Sequence, residues 1–127
     1  MRRSYRVDYA MLERVSVAKD AIKKAFAVLR KNGFIARMNF MCCSNCASYE
    51  LSTMAEKKGI EKIVFWHRQE EDYFQRTGKV ALQYGKPNDG DDEITKKIGQ
   101  EIVDVLKSVG VDVEWSGSPD DVIYVVA

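Results

Sequence analysis

The sequence predicts a single α/β domain, in an α+β variant, with a mixed sheet of about five strands and three helices in the order α-β-α-β-β-α-β-β. Three observations carry that expectation. Apolar residues recur every three or four positions in three long segments, the pattern of helices that bury one face. Short runs rich in β-branched and aromatic residues lie between those segments. The strand–helix–strand unit from Phe34 to Arg68 suits a parallel crossover, whereas the next link is too short for one and implies an antiparallel neighbour.

The elements follow in order. Asp8 is placed to cap a first helix, whose stripe is Leu12, Val15, Ala18, Ile22, Ala25, Phe26 and Leu29. Asn32-Gly33 stops it. Phe34 to Met41 reads as the first strand, with Phe34, Ala36, Met38 and Phe40 on one face. A second helix runs from about Ser44 to Lys58, buried through Ala47, Leu51, Met54 and Ala55, and ends at Gly59. Glu61 to Arg68 is the second strand, and its continuous run Ile63-Val64-Phe65-Trp66 fits an interior strand covered on both faces. Gln69 to Thr77 reads as a polar loop, with Tyr73-Phe74 either pinning it down or offering a contact surface. Lys79 to Tyr84 is the third strand, and Gly85 to Gly90 a loop. Asp91, Asp92 and Glu93 open the third helix, whose stripe is Ile94, Ile98, Ile102, Val105, Leu106 and Val109. Val111 to Trp115 and Val122 to Val126 close the sheet.

A chain of 127 residues is one domain, 1–127, with no repeat, linker or low-complexity tract. Its 20 basic and 19 acidic residues give a net charge of +1, too even a balance for a nucleic-acid footprint. No apolar run approaches the roughly 20 residues of a membrane helix, and no apolar core follows the basic start, so no membrane contact and no signal peptide are expected. An odd number of cysteines gathered in one stretch is unlike a secreted disulfide framework, which makes a cytoplasmic protein with reduced thiols the expectation.

All three cysteines lie in Asn39-Phe40-Met41-Cys42-Cys43-Ser44-Asn45-Cys46, where strand periodicity gives way to helical spacing. A helix start offers unpaired N–H groups and a positive dipole end, which favour a thiolate. Cys43 and Cys46 form a C-x-x-C in the context of a dithiol redox motif, without the usual Gly-Pro between them. Cys42, Cys43, Cys46 and His67 make a legitimate zinc set, and the parallel crossover brings the ends of both strands to one sheet edge. Against zinc, the adjacent Cys42 and Cys43 should point in different directions. A third chemistry takes Cys43 or Cys42 as nucleophile, His67 as base and Asn39 or a helix N–H at an oxyanion. The bland alternative ranks first: Cys43 continues the apolar stripe of the second helix and packs as a small buried hydrophobe, leaving Cys42 or Cys46 the more accessible thiol. The expected role is therefore a small binding or interaction module with an unspecified partner and no required cofactor, zinc being the one the ligand set admits. The alternative is cysteine-dependent redox or transfer activity.

Taken together, Gly33-Phe34-Ile35-Ala36-Arg37, the Asn-Phe-Met-Cys-Cys-x-x-Cys block, the strand ending in His67 and Trp115-Ser116-Gly117-Ser118-Pro119 resemble an uncharacterised bacterial family, a domain of unknown function. The resemblance extends from about Ala21 to Ile123 and implies a small cytoplasmic α/β protein with no assigned activity.

Overall fold

A computed structural model describes residues 8–87 and 91–127. The basic start and Asn88 to Gly90 of the expected loop fall outside the described residues. The chain runs α1 Tyr9–Lys31, β1 Phe34–Arg37, α2 Ser44–Lys58, β2 Lys62–Phe65, α3 Arg68–Thr77, β3 Lys79–Gly85, α4 Asp92–Ser108, β4 Asp112–Glu114 and β5 Ile123–Val126. Both long helices begin as their sequences dictate. Asp8 Oδ1 accepts the Met11 N–H at 2.9 Å, and Asp91 Oδ1 accepts the Ile94 N–H at 3.0 Å. The expected stripe of α1 is buried from Val15 to Leu29, and α4 buries Ile98, Gly99, Ile102, Val103 and Leu106. Among the described residues no helix is long and apolar enough to cross a membrane.

The sheet has the order β1-β2-β3-β5-β4. β1 and β2 are parallel, and the remaining neighbours are antiparallel. The large core lies on one face, where Phe34, Ala36, Val64, Trp66, Val80, Leu82, Ile123 and Val125 meet α1, α3 and α4. Among the described residues the other face is covered at β1 and β2 alone. There Ile35, Ile63 and Phe65 take Ala47, Leu51 and Ala55 of α2. β2 is thus buried on both sides, as its unbroken apolar run requires.

The segment read as a polar loop, Gln69 to Thr77, is helical instead, which raises the helix count from three to four. β2 and β3 are still antiparallel, because α3 turns the chain back along β3. The apolar signal of α3 is faint because the helix docks through Phe74 and a carboxylate, Glu71, only 7% exposed. Phe74 does pin the segment, its ring 6.1 Å from that of Trp66 in an edge-on contact. Tyr73 points outward. Gly78 ends the helix at φ 75°, a left-handed position that suits glycine. Glu70 of α3 also accepts the Ala81 N–H at 2.9 Å. It thereby serves a donor of β3 that lies beyond the end of β2.

Glu71 is fully engaged. Its Oε1 accepts the Trp66 Nε1–H at 2.9 Å, and its Oε2 accepts from Lys19 Nζ at 2.7 Å and Gln75 Nε2 at 2.8 Å. Burial opposes ionisation of this carboxyl. The bonds from Lys19, Gln75 and Trp66, with the lysine's charge, outweigh it and hold Glu71 below the usual carboxylate range. A folded-state pKa below the unfolded one contributes stability above the unfolded pKa, and that stability is lost as pH falls through the folded one.

Glu71→Ala leaves the Trp66 N–H and the Lys19 ammonium without their partner, and should cost about 3 kcal/mol in urea denaturation at neutral pH. Glu71→Gln keeps a neutral acceptor and should cost less. Its deficit relative to the parent should shrink below about pH 4; a deficit constant from neutral pH to pH 3 would contradict the account. Gly99→Ala tests the other end of the core. A Cβ there would lie 2.8 Å from Trp115 Cζ2 and 2.9 Å from Tyr84 Cε2. The two rings are tied by a 3.0 Å bond from Trp115 Nε1–H to the Tyr84 hydroxyl. Overpacking of about 1–3 kcal/mol should appear as a lower midpoint for thermal unfolding.

Candidate functional site

The first strand stops at Arg37, short of the expected Met41, yet its pairing with β2 continues irregularly. The Trp66 N–H donates to the Arg37 carbonyl at 3.3 Å, Phe40 N–H to Trp66 at 2.9 Å, and Arg68 N–H to Met41 at 3.0 Å. Between these bonds Asn39 and Met41 take left-handed backbone, with φ of 50° and 63°. Asparagine tolerates that region, whereas methionine costs roughly 1–2 kcal/mol there. The left turn at Asn39 breaks the strand alternation. Phe40 therefore packs with the α2 layer, although Phe34, Ala36 and Met38 stay in the large core. The expected sharing of one face by all four residues is overturned by this turn.

Cys42 and Cys43 come straight after the strained Met41. Cys43 is the N-cap of α2, in extended backbone at φ −154° and ψ 171°. Cys46 lies three residues on, in the first turn of the helix. The three sulfurs all lie within 4.8 Å of one another, and Cys42 and Cys43 Sγ are 3.9 Å apart. The premise that neighbouring cysteines diverge does not hold for this turn. Cys43 is half-buried, not sealed in the apolar stripe, and Cys42 and Cys46 are exposed. Below them Ala47, Leu51 and Ala55 continue the buried face.

The sulfurs differ in charge preference. Cys43 is held below the ordinary thiol range, first by the backbone N–H of Cys46, then by the Cys46 and Cys42 thiols, with a smaller contribution from the Asn45 N–H; burial works against them. Cys43 Sγ forms no capping hydrogen bond of good geometry. The Cys42 thiol donates to Cys43 Sγ at 3.9 Å, and the N–H groups of Asn45 and Cys46 belong to the first turn of α2, where a helix start favours an anion. Cys46 is pushed up to about 11, because its thiol serves Cys43 first and Cys42 second.

His67 caps α3 from the same sheet edge, and the bond from Arg68 to Met41 holds its backbone beside the turn. Its ring nitrogens are not part of the group formed by the sulfurs. The residue is 8% exposed, and Nδ1 is buried without a hydrogen-bond partner. Asn39 is exposed and shapes the turn. Of the five residues singled out in the sequence, the fold therefore brings three together, places the backbone of His67 beside the turn and leaves Asn39 exposed in it. Glu71, which anchors the strand end behind His67, gave one signal in sequence: an acidic first turn on a segment closed by glycine.

Residues 15–127 match the family described as a domain of unknown function, DUF6891. The chain belongs to that family. No curated protein and no solved structure matches it. In this DUF6891 domain the matched span holds the whole sheet and the cysteine turn.

The sulfur electrostatics predict an order of alkylation. With iodoacetamide across a pH series, Cys43 should label first as pH rises, and Cys46 should lag toward pH 11 despite its exposure. Site-resolved mass spectrometry that finds Cys46 ahead of Cys43 at neutral pH would refute the assignment.

Proposed function

We propose that this domain is a binding module whose working centre is the Cys42–Cys43–Cys46 turn, and that the centre takes a soft divalent ion, zinc foremost. The observation that carries this reading is the convergence of the three sulfurs within 4.8 Å. A tetrahedral zinc with sulfurs at about 2.3 Å sets neighbouring sulfurs roughly 3.8 Å apart. The Cys42–Cys43 separation is 3.9 Å. Packing alone gives no reason for an exposed Cys42 to follow a left-handed methionine and turn back onto Cys43.

The donor set fits the ion in charge as well. Three thiolates around a divalent ion leave one net negative charge, and the N-terminus of α2 is where such a charge is favoured. Cys42, Cys43 and Cys46 would hold the ion, which would supply Lewis acidity at a fourth position. His67, buried and without a partner at Nδ1 among the described residues, starts α3 at the same sheet edge and offers a fourth donor of suitable chemistry. Among the described residues α2 is the one helix on its face of the sheet, so an ion bound at its first turn would tether it to the end of β1. The balanced charge and the absence of a membrane-spanning helix among the described residues accord with a protein that works in the cytoplasm.

Protein purified reduced and without chelator should carry one equivalent of zinc by elemental analysis. Cobalt(II) should bind with the intense near-ultraviolet absorption of thiolate-to-metal charge transfer. Cys43→Ser should abolish both. Ion at 100 times its dissociation constant should stabilise the fold by about 2.7 kcal/mol. Binding should weaken by on the order of tenfold per pH unit for each thiol proton displaced. Reduced protein that retains no zinc and shows no charge-transfer band on cobalt titration would sink the proposal.

A further inference from the structure

Two of the three thiols occupy positions with a special relation. Cys43 is the N-cap of α2, and Cys46 is the third residue of the helix. In a capping box those two positions face one another, each side chain reaching the other's backbone N–H. Here both side chains end in sulfur, and the sulfurs lie within 4.8 Å. Cys42 Sγ is also near, at 3.9 Å from Cys43. A disulfide between adjacent residues, however, closes an eight-membered ring around a peptide bond that resists leaving planarity. The wider pair is therefore the one that can close, and it has the C-x-x-C spacing at a helix start that suits thiol–disulfide exchange. The turn is also open to solutes, since Cys42 and Cys46 are exposed.

We infer that peroxide closes a Cys43–Cys46 disulfide in this turn, and that the disulfide and the metal ion exclude one another. The inference rests on the metal reading for its second half only. The chemistry balances with a peroxide as oxidant. The Cys43 thiolate attacks one peroxide oxygen, the O–O bond breaks, and hydroxide leaves and takes up a proton as water. Cys43 is then a sulfenic acid. Cys46 sulfur attacks it, the S–S bond forms, the S–O bond breaks, and the oxygen leaves as a second water with the Cys46 proton. Two thiols are oxidised by two electrons and one hydrogen peroxide is reduced to two waters. Two of the three metal-binding thiolates are consumed, and Cys42 alone cannot hold the ion. A dithiol reductant reverses the step. The first helical turn of α2 thus becomes a peroxide-sensitive latch on the metal centre.

The test adds hydrogen peroxide to the zinc-loaded full chain. It follows zinc with a chromophoric chelator and maps cysteines by mass spectrometry. Zinc should be released in step with one intramolecular Cys43–Cys46 disulfide, and dithiothreitol should restore both free thiols and zinc binding. Cys42→Ser should retain the disulfide, whereas Cys46→Ser should lose it and carry Cys43 forward to irreversible oxidation. A map that places the bond at Cys42, a chain that stays reduced while peroxide is consumed elsewhere, or a disulfide that forms with zinc still bound would each overturn the inference. The same map on metal-free reduced protein separates the two proposals. If no ion binds there but Cys43–Cys46 closes, the metal reading fails and the dithiol stands. If zinc binds and the disulfide never forms, the reverse holds.

Discussion

The structure turns on a buried carboxylate. Glu71 takes a hydrogen bond from Trp66 at the end of β2, one from Gln75 in its own helix, and an ion pair from Lys19 of α1. These contacts join three elements whose apolar surfaces alone would leave their relative angles loose. Trp66, fully buried, also lies against the rings of Phe26 and Phe74. A charge so placed is stable only while each partner is present, which makes the junction specific as well as strong. The cysteine edge is joined to it through Trp66. Trp66 is paired with both Arg37 and Phe40, and the next residues, His67 and Arg68, lie beside Met41.

From that anchor the cysteine turn is built outward by backbone geometry. The left-handed residues at Asn39 and Met41 redirect the chain where β1 would otherwise have continued. The extended Cys43 then starts α2 with its free N–H groups beside the sulfurs. Strain at a non-glycine residue is sustained only where surrounding bonds over-determine it, and here the bond from Arg68 to Met41 and the pairing of Phe40 do so. The rigid core and the strained turn therefore divide the labour: one holds position, the other presents thiols.

The two faces of the sheet differ in the same sense. α1, α3 and α4 cover one face around Phe26, Trp66, Leu82 and Ile102. Among the described residues α2 covers part of the other, through Ala47, Leu51 and Ala55 against Ile35 and Ile63. A helix held by one narrow stripe buries less apolar surface than one packed in the larger core.

Much of this was legible in the residues. The periodic stripes of α1, α2 and α4, the Asp8 and Asp91 caps, the two-sided burial of β2 and the mixed five-stranded sheet all follow from local preferences acting in agreement. The cysteines and His67 were also identifiable, because a strand that ends just before a helix start brings such groups to one edge. Three things were decided only by tertiary structure. α3 was hidden because the segment is strongly polar on average and half of its buried face is a carboxylate, Glu71 beside Phe74. The early end of β1 and the turning of Phe40 were hidden because a left-handed residue leaves no periodic trace. The convergence of Cys42 on Cys43 was hidden because residue spacing sets how far apart two side chains can be, while backbone dihedrals at Met41, bonded to Arg68 of α3, and at Cys43, bonded to Ala47 of α2, set where they point.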